Sequence, residues 1–132
     1  MNENPKRMSS AALAFIGDAI YEVFVREYCV KTGKSSADRL HSAAVKYVNA
    51  ASQAKAMRII SKELNEEDFE VMNRARNRKP KTVPKNADPM DYKWATAFEA
   101  LLGYYYLSDR KAELEMLMKE AILIIENKRR EG

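Results

Sequence analysis

The stretch from Ala12 to Val25, ALAFIGDAIYEVFV, constrains the fold more than any other part of the chain. Leu13, Ile16, Ile20, Val23 and Phe24 recur at helical spacing, while Ala11, Phe15, Ala19, Tyr21 and Val25 fill most of the remaining circumference. A helix that is apolar nearly all round is expected to be buried. Yet this one carries two acids, Asp18 and Glu22, and no basic residue. The two lie one turn apart on the same face, where like charges disfavour each other. Burying an unpaired carboxylate is costly or forces it to take up a proton, so an ionised Asp18 needs a cation from elsewhere, a basic side chain or a metal ion. Gly17 is a second anomaly, because glycine inside a helix costs about 1 kcal/mol relative to alanine. It fits where another backbone comes close.

The rest of the chain predicts further helices. Only four glycines and four prolines occur in 132 residues, which suits an all-α domain better than a many-turned β fold. Ser35 or Ser36 can cap a second helix carrying Leu40, Ala44, Tyr47, Val48 and Ala51, continuing or bending towards Met57 and Ile60. Asn65 can cap a third, whose Glu66, Glu67 and Asp68 suit the positive end of the helix dipole and which should run to about Arg76. Pro80, Pro84 and Pro89 then break regular structure. From Asp91 the stripe Trp94, Ala97, Phe98, Leu101, Leu102 and Tyr105 restores helical periodicity, and Ser108 or Asp109 starts a last helix. With no repeat or linker, residues 1–132 are expected to form one domain.

The segment DYKWATAFEALLGYYYL repeats the peculiarity of the first helix, with Glu99 on the shoulder of the apolar stripe and Gly103 one turn later. Two helices that each pair an acid with a nearby glycine can cross closely and bring Asp18 and Glu99 together. Their oxygens would then suit a hard divalent cation such as Mg²⁺, which takes one or two carboxylates, water and substrate phosphate. The alternative is that Asp18 bonds to a backbone amide or a lysine and that Glu99 marks the solvent edge of its helix.

Charge is uneven. The net charge is +4, and Arg74, Arg76, Arg78, Lys79, Lys81 and Lys85, with no acid among them, account for more than all of it. Their spacing suits contacts with phosphates, although a charge run is also what a solvated surface looks like. The single cysteine, Cys29, excludes an internal disulfide framework and reads as a small buried residue. The start of the chain does not read as a secretory signal, and the apolar run around Asp18 is too short and too acidic for a membrane span. A cytoplasmic protein with no membrane partner is expected.

The segment LAFIGDAIYEVFVRE resembles the signature helix of the ribonuclease III family, and TAFEALLGYYYL resembles that family's second acidic helix. RLHSAAVKYVNAASQAKA, NRARNRK and TVPKN are similar, in the same order, to segments of the Mini-ribonuclease III subfamily, the bacterial form without a double-stranded-RNA-binding domain. The resemblance covers almost the whole chain. It implies that Asp18 and Glu99 are the catalytic and metal-binding carboxylates and that the cofactor is Mg²⁺, with Mn²⁺ as a substitute. The implied substrate is double-stranded RNA, cut to a 5′-phosphate and a 3′-hydroxyl in maturing the large-subunit ribosomal RNA precursor. It further implies a homodimer, and a ribosomal protein on the substrate is an open question. Full-length family members place additional acids at positions matching Ala11, Ala14 and Thr96, which this chain lacks.

Other residues stay open. Glu22 fits either a role through water near the metal or an ordinary helix position. His41 fits an RNA contact or a structural site, and Asn86 an RNA contact or a turn cap. Tyr104, Tyr105 and Tyr106 read as core packing more readily than as base-stacking groups. Gly17 and the apolar surplus of the first helix suit a dimer seam or an intramolecular crossing. Two rival functions are a non-catalytic RNA-binding module of the same fold and an all-helical nucleotide pyrophosphohydrolase using Glu63, Glu66, Glu67 and Glu70.

Overall fold

In a computed structural model, residues 4–33, 36–80 and 82–129 are described, and among them the regular structure is helical without a strand. Six α-helices follow one another: α1 (Ser10–Lys31), α2 (Ala37–Val48), α3 (Ala50–Ile60), α4 (Glu66–Asn77), α5 (Pro89–Leu107) and α6 (Lys111–Ile125). Single 3₁₀ turns at Pro5–Arg7 and Ser61–Glu63 precede α1 and follow α3.

Local chemistry sets most of the boundaries. Ser9, Ser36, Asn65 and Asp88 cap α1, α2, α4 and α5 by accepting hydrogen bonds from backbone amides of the first turn. Ser35, the other predicted cap of α2, lies outside the described residues. The second helix, expected to continue or bend towards Ile60, is broken at Asn49 into two. Asn49 ends α2 in an extended conformation and starts α3, donating from Nδ2 to the Val45 carbonyl and accepting at Oδ1 from the Ser52 amide. Pro89 does not sit in the loop but opens α5, where its missing N–H costs nothing. The last helix begins after Arg110 rather than at Ser108 or Asp109, because Asp109 adopts a left-handed backbone with φ 58°.

The buried centre of the fold is α5. It packs against α1, α3, α4 and α6, and buries Ala95, Ala97, Phe98 and every residue from Ala100 to Tyr105. Tyr21 of α1 meets Phe98 edge-on, with ring centroids 4.9 Å apart. Burial of side chains such as Phe98, Leu101 and Met57 contributes about 1.5–3 kcal/mol each. Of the tyrosine run, Tyr104 and Tyr105 face inward and Tyr106 is exposed; Cys29 is buried.

The first helix departs from the expectation of complete burial. Leu13, Tyr21 and Val25 enter the core, but Phe15 is 80% exposed and Val23 and Val30 are each 58% exposed. Its apolar circumference exceeds what one chain can cover.

Two carboxylates fasten the bundle. Asp68, at the start of α4, receives both terminal nitrogens of Arg110 at 2.9 Å and the Tyr105 hydroxyl at 2.8 Å. Glu126, past the end of α6, receives the hydroxyls of Tyr28 and Tyr47, each at 2.6 Å. Burial would raise both carboxyls, yet these donors outweigh it and hold both below the ordinary range. Asp68→Ala would strip Arg110 of its bidentate partner in a largely buried position. The expected loss is about 3 kcal/mol, measurable by urea denaturation; a loss below 1 kcal/mol would show that the network is dispensable.

Candidate active site

The site begins with two glycines. An added Cβ at Gly17 would lie 1.7 Å from the Glu99 carbonyl oxygen, and one at Gly103 would lie 2.0 Å from the Leu13 carbonyl oxygen. In both cases the obstacle is backbone, which cannot swing aside. The crossing of α1 and α5 therefore requires glycine at both positions, and it is intramolecular rather than a dimer seam.

This contact places Glu99 against α1 exactly one residue before Asp18, and the two acids become neighbours. Glu99 is partly buried, while Asp18, expected to be semi-buried, is exposed at the mouth of the site. The Glu99 carboxyl is pushed up to about 8, first by burial, then by the charge of Asp18, by a hydrogen bond with Asp18 and by the charge of Glu22. Among the described residues no side-chain cation lowers it in compensation. The basic side chain beside Glu22 is Arg26, whose Nε lies 3.1 Å from Glu22 Oε2. Among the described residues no lysine or backbone amide is hydrogen-bonded to either carboxylate, while Asp18 is exposed and Glu99 partly buried.

Among the described residues no group of three or more histidine, cysteine, aspartate or glutamate side chains is arranged to hold a metal. The set on offer is two carboxylate side chains, with Glu22 nearby. Thr96 occupies one position where an acid is absent and turns its hydroxyl to the Tyr92 carbonyl, and Ala11 and Ala14 leave the neighbouring face of α1 without oxygen ligands. Two carboxylates of this kind suit a hard divalent cation that keeps most of its shell for water and phosphate.

The basic residues do not act as one group. Arg74 donates to the Lys6 and Met8 carbonyls at 2.9 and 3.1 Å, pinning the chain ahead of α1. Arg76 lies over the Trp94 ring at 4.8 Å and bonds to Asn73. Arg78, Lys79 and Lys85 are exposed, and Lys81 lies outside the described residues. Asn86 is exposed in a turn closed by the Ala87 amide and the Pro84 carbonyl. His41 is exposed on α2, where it lines a cleft with Glu22, Arg26 and Cys29.

The sequence did not single out Arg58, which reaches Asp91 at 3.0 Å and faces Trp94 from 5.8 Å. No periodic signal marks a cation that stacks on a ring from another helix. The acids of the rival pyrophosphohydrolase reading do not converge. Glu63 pairs with Arg129, Glu67 takes Lys6 and the Tyr104 hydroxyl, and Glu66 and Glu70 are exposed.

Comparison with known proteins agrees with this geometry. Residues 11–110 match the model of the Ribonuclease III domain. The chain belongs to the ribonuclease III family. It is 42% identical over 122 residues to a Mini-ribonuclease 3 from Clostridium tetani, covering 92% of this chain and 81% of that one. Another, from Enterococcus faecalis, is 43% identical over 119 residues, covering 89% and 90%. A crystal structure of a Fusobacterium nucleatum protein superposes with a TM-score of 0.80 at 34% identity, covering 88% of this chain and 93% of that one. As a ribonuclease III family member, resembling the Mini-ribonuclease 3 group over most of its length, the chain is an endoribonuclease and thus a hydrolase. Among the described residues no helix is long and apolar enough to cross a membrane.

The crowding of like charges has a stability consequence. The native state retains the Glu99 proton up to about pH 8, whereas an unfolded glutamate releases it near 4.3. The native state therefore binds more protons throughout that interval, and its stability falls as pH rises through it. Glu99→Gln keeps the shape of the protonated side chain and removes this loss. In chelator at about pH 8.5 the variant should melt several degrees above the unsubstituted protein, with little difference at about pH 5. Thermal melts across that range test it; a variant less stable at the higher pH would contradict the like-charge account.

Proposed function

We propose that the chain is a Mg²⁺-dependent endoribonuclease of double-stranded RNA, with residues 1–132 forming a single catalytic domain. Asp18 and Glu99 are its catalytic, metal-binding carboxylates, with Mn²⁺ able to replace Mg²⁺. The observation that carries this reading is the adjacency of those two acids with no side-chain cation among the described residues to satisfy them. The products are a 5′-phosphate and a 3′-hydroxyl. The substrate is the large-subunit ribosomal RNA precursor, processed in the cytoplasm.

When bound, the cation supplies Lewis-acid polarisation of a phosphoryl oxygen and lowers the pKa of water. The protein's contribution is positional. Asp18, exposed at the mouth, and the partly buried Glu99 would hold the cation, each on a helix whose position the glycine contact fixes. Burial and the neighbouring acids hold the proton on Glu99, so a cation held there would displace it. Arg26 steadies Glu22 beside the pair, where a carboxylate can accept a hydrogen bond from water. Arg78, Lys79 and Lys85 offer exposed charges to phosphates, and duplex RNA is read largely through shape, phosphates and 2′-hydroxyls.

The uncovered face of α1 supports a homodimer. Phe15, Ala19 and Val23 form an exposed strip along one side of that helix, and a second copy offers the same strip in a two-fold arrangement. Phe15→Asp is expected to halve the molar mass measured by light scattering at micromolar concentration. An unchanged mass would place the contact elsewhere.

Asp18→Asn and Glu99→Gln are each expected to lower the cleavage rate of a duplex by at least about 10²-fold while duplex binding is retained. Near-normal Mg²⁺-dependent cleavage by either variant would remove the assignment. Binding without any cleavage by the unsubstituted protein would point to the non-catalytic module.

A further inference from the structure

Away from the acidic pair, the start of α1 and the end of α4 flank a wide-open cleft of about 500 Å³. Arg7, Arg74 and Arg78 line it together with Ser9, Ser10 and Asn77. Three arginines line it, and among the described residues no carboxylate does. Glu67, a nearby acid of α4, is engaged by Lys6 at 3.7 Å and by the Tyr104 hydroxyl at 3.1 Å.

The three cations differ in freedom. Arg74 is held by the Lys6 and Met8 carbonyls, which fix its position without neutralising it. Arg7 and Arg78 are exposed on either side. Like charges gathered around one cleft repel unless an anion sits among them. The guanidinium fork matches a phosphate through paired N–H···O bonds, and the hydroxyl and amide side chains add neutral donors.

The cleft also lies on a path to the acids. Ala11 follows its lining directly, and Ala11, Ala14 and Asp18 are spaced to share one face of α1. From Ser10 to Asp18 the helix rises about 12 Å, a distance that a strand covers in a few nucleotides. Ala11 and Asp18 are exposed on that side while Ala14 is buried beneath it, so the small side chain of Ala11 leaves room for a backbone between the cleft and Asp18.

We propose that this cleft is a phosphate subsite, holding a backbone phosphate of the RNA a few nucleotides from the bond cut at Asp18 and Glu99. Arg7 and Arg78 contact the phosphate, and Arg74 is the positioning residue that pins the turn carrying Arg7. The subsite fixes the register of the strand and hence which phosphodiester reaches the acids. This inference rests on the reading of the chain as a nuclease of double-stranded RNA.

The test uses Arg7→Gln combined with Arg78→Gln in the full chain, leaving Arg74 in place. Duplex affinity, measured in chelator so that no cutting occurs, should fall about tenfold or more near physiological salt. The slope of log affinity against log salt should shrink by about one to two. A set of duplexes, each with a single neutral methylphosphonate at a different position, then maps the contact. The unsubstituted protein should lose affinity at one or two adjacent positions to one side of the cut, and the double variant should show no further loss there. Lysine at both positions should restore the salt slope but only part of the affinity, because the charge returns without the fork. Melting temperature within a degree or two of the unsubstituted protein verifies the fold of each variant. Unchanged affinity and slope, or methylphosphonate losses identical in both proteins, would overturn the subsite while leaving the nuclease reading intact. Failure of the unsubstituted protein to bind or cut any duplex would instead overturn the nuclease reading itself.

Discussion

Two main chains in direct contact hold this site together. Where α1 meets α5, the Leu13 and Glu99 carbonyls occupy the space that side chains at Gly103 and Gly17 would need. Interhelical packing normally keeps axes 8–10 Å apart through intervening side chains, and here those side chains are missing at the two positions that matter. The consequence is chemical as well as steric. Glu99 is brought to α1 by its own backbone, so its carboxyl has little freedom to retreat from Asp18. The glycines cost helix stability locally, and the large apolar contact of α1 with the central helix offsets that loss.

Three partly or fully buried carboxylates show what the fold does when an acid is structural and when it is not. Asp68 is given a bidentate arginine and a tyrosine hydroxyl, and Glu126 is given two tyrosine hydroxyls. Both carboxyls are held below the ordinary range. Glu99 receives burial and two like-charged neighbours, and its carboxyl moves the other way. The same chain thus satisfies two acids completely and leaves a third wanting a cation. An acid left without such donors in a fold that supplies them elsewhere marks Glu99 as a candidate functional group.

Much of this was legible in the residues. Helical spacing located α1 and α5, side-chain caps located the starts of α2 and α4, and the pairing of an acid with a glycine on each of two helices anticipated their close crossing. The failures have physical reasons. Periodicity reports where apolar residues are, but not whether this chain or a second one covers them, so α1 looked wholly buried while Phe15 stands 80% exposed. Asn49 reads as a tolerable helix residue until its side chain is seen capping in both directions. Asp109 starts no helix because its left-handed backbone turns the chain first.

The basic segment is the clearest case of a sequence pattern dissolving into separate jobs. Read as a run, its cations look interchangeable. In three dimensions Arg74 serves the backbone ahead of α1 and Arg76 rests on Trp94, while Arg78 and Lys79 face solvent where α4 ends. The charge remains, but the fold places it more sharply than the run suggests. Arg7, separated from the run by more than sixty residues of sequence, joins it in space because Arg74 ties its turn to α4. A charge pattern along a chain measures potential only on average; where a phosphate would sit depends on which cations the fold has already committed to its own carbonyls and rings.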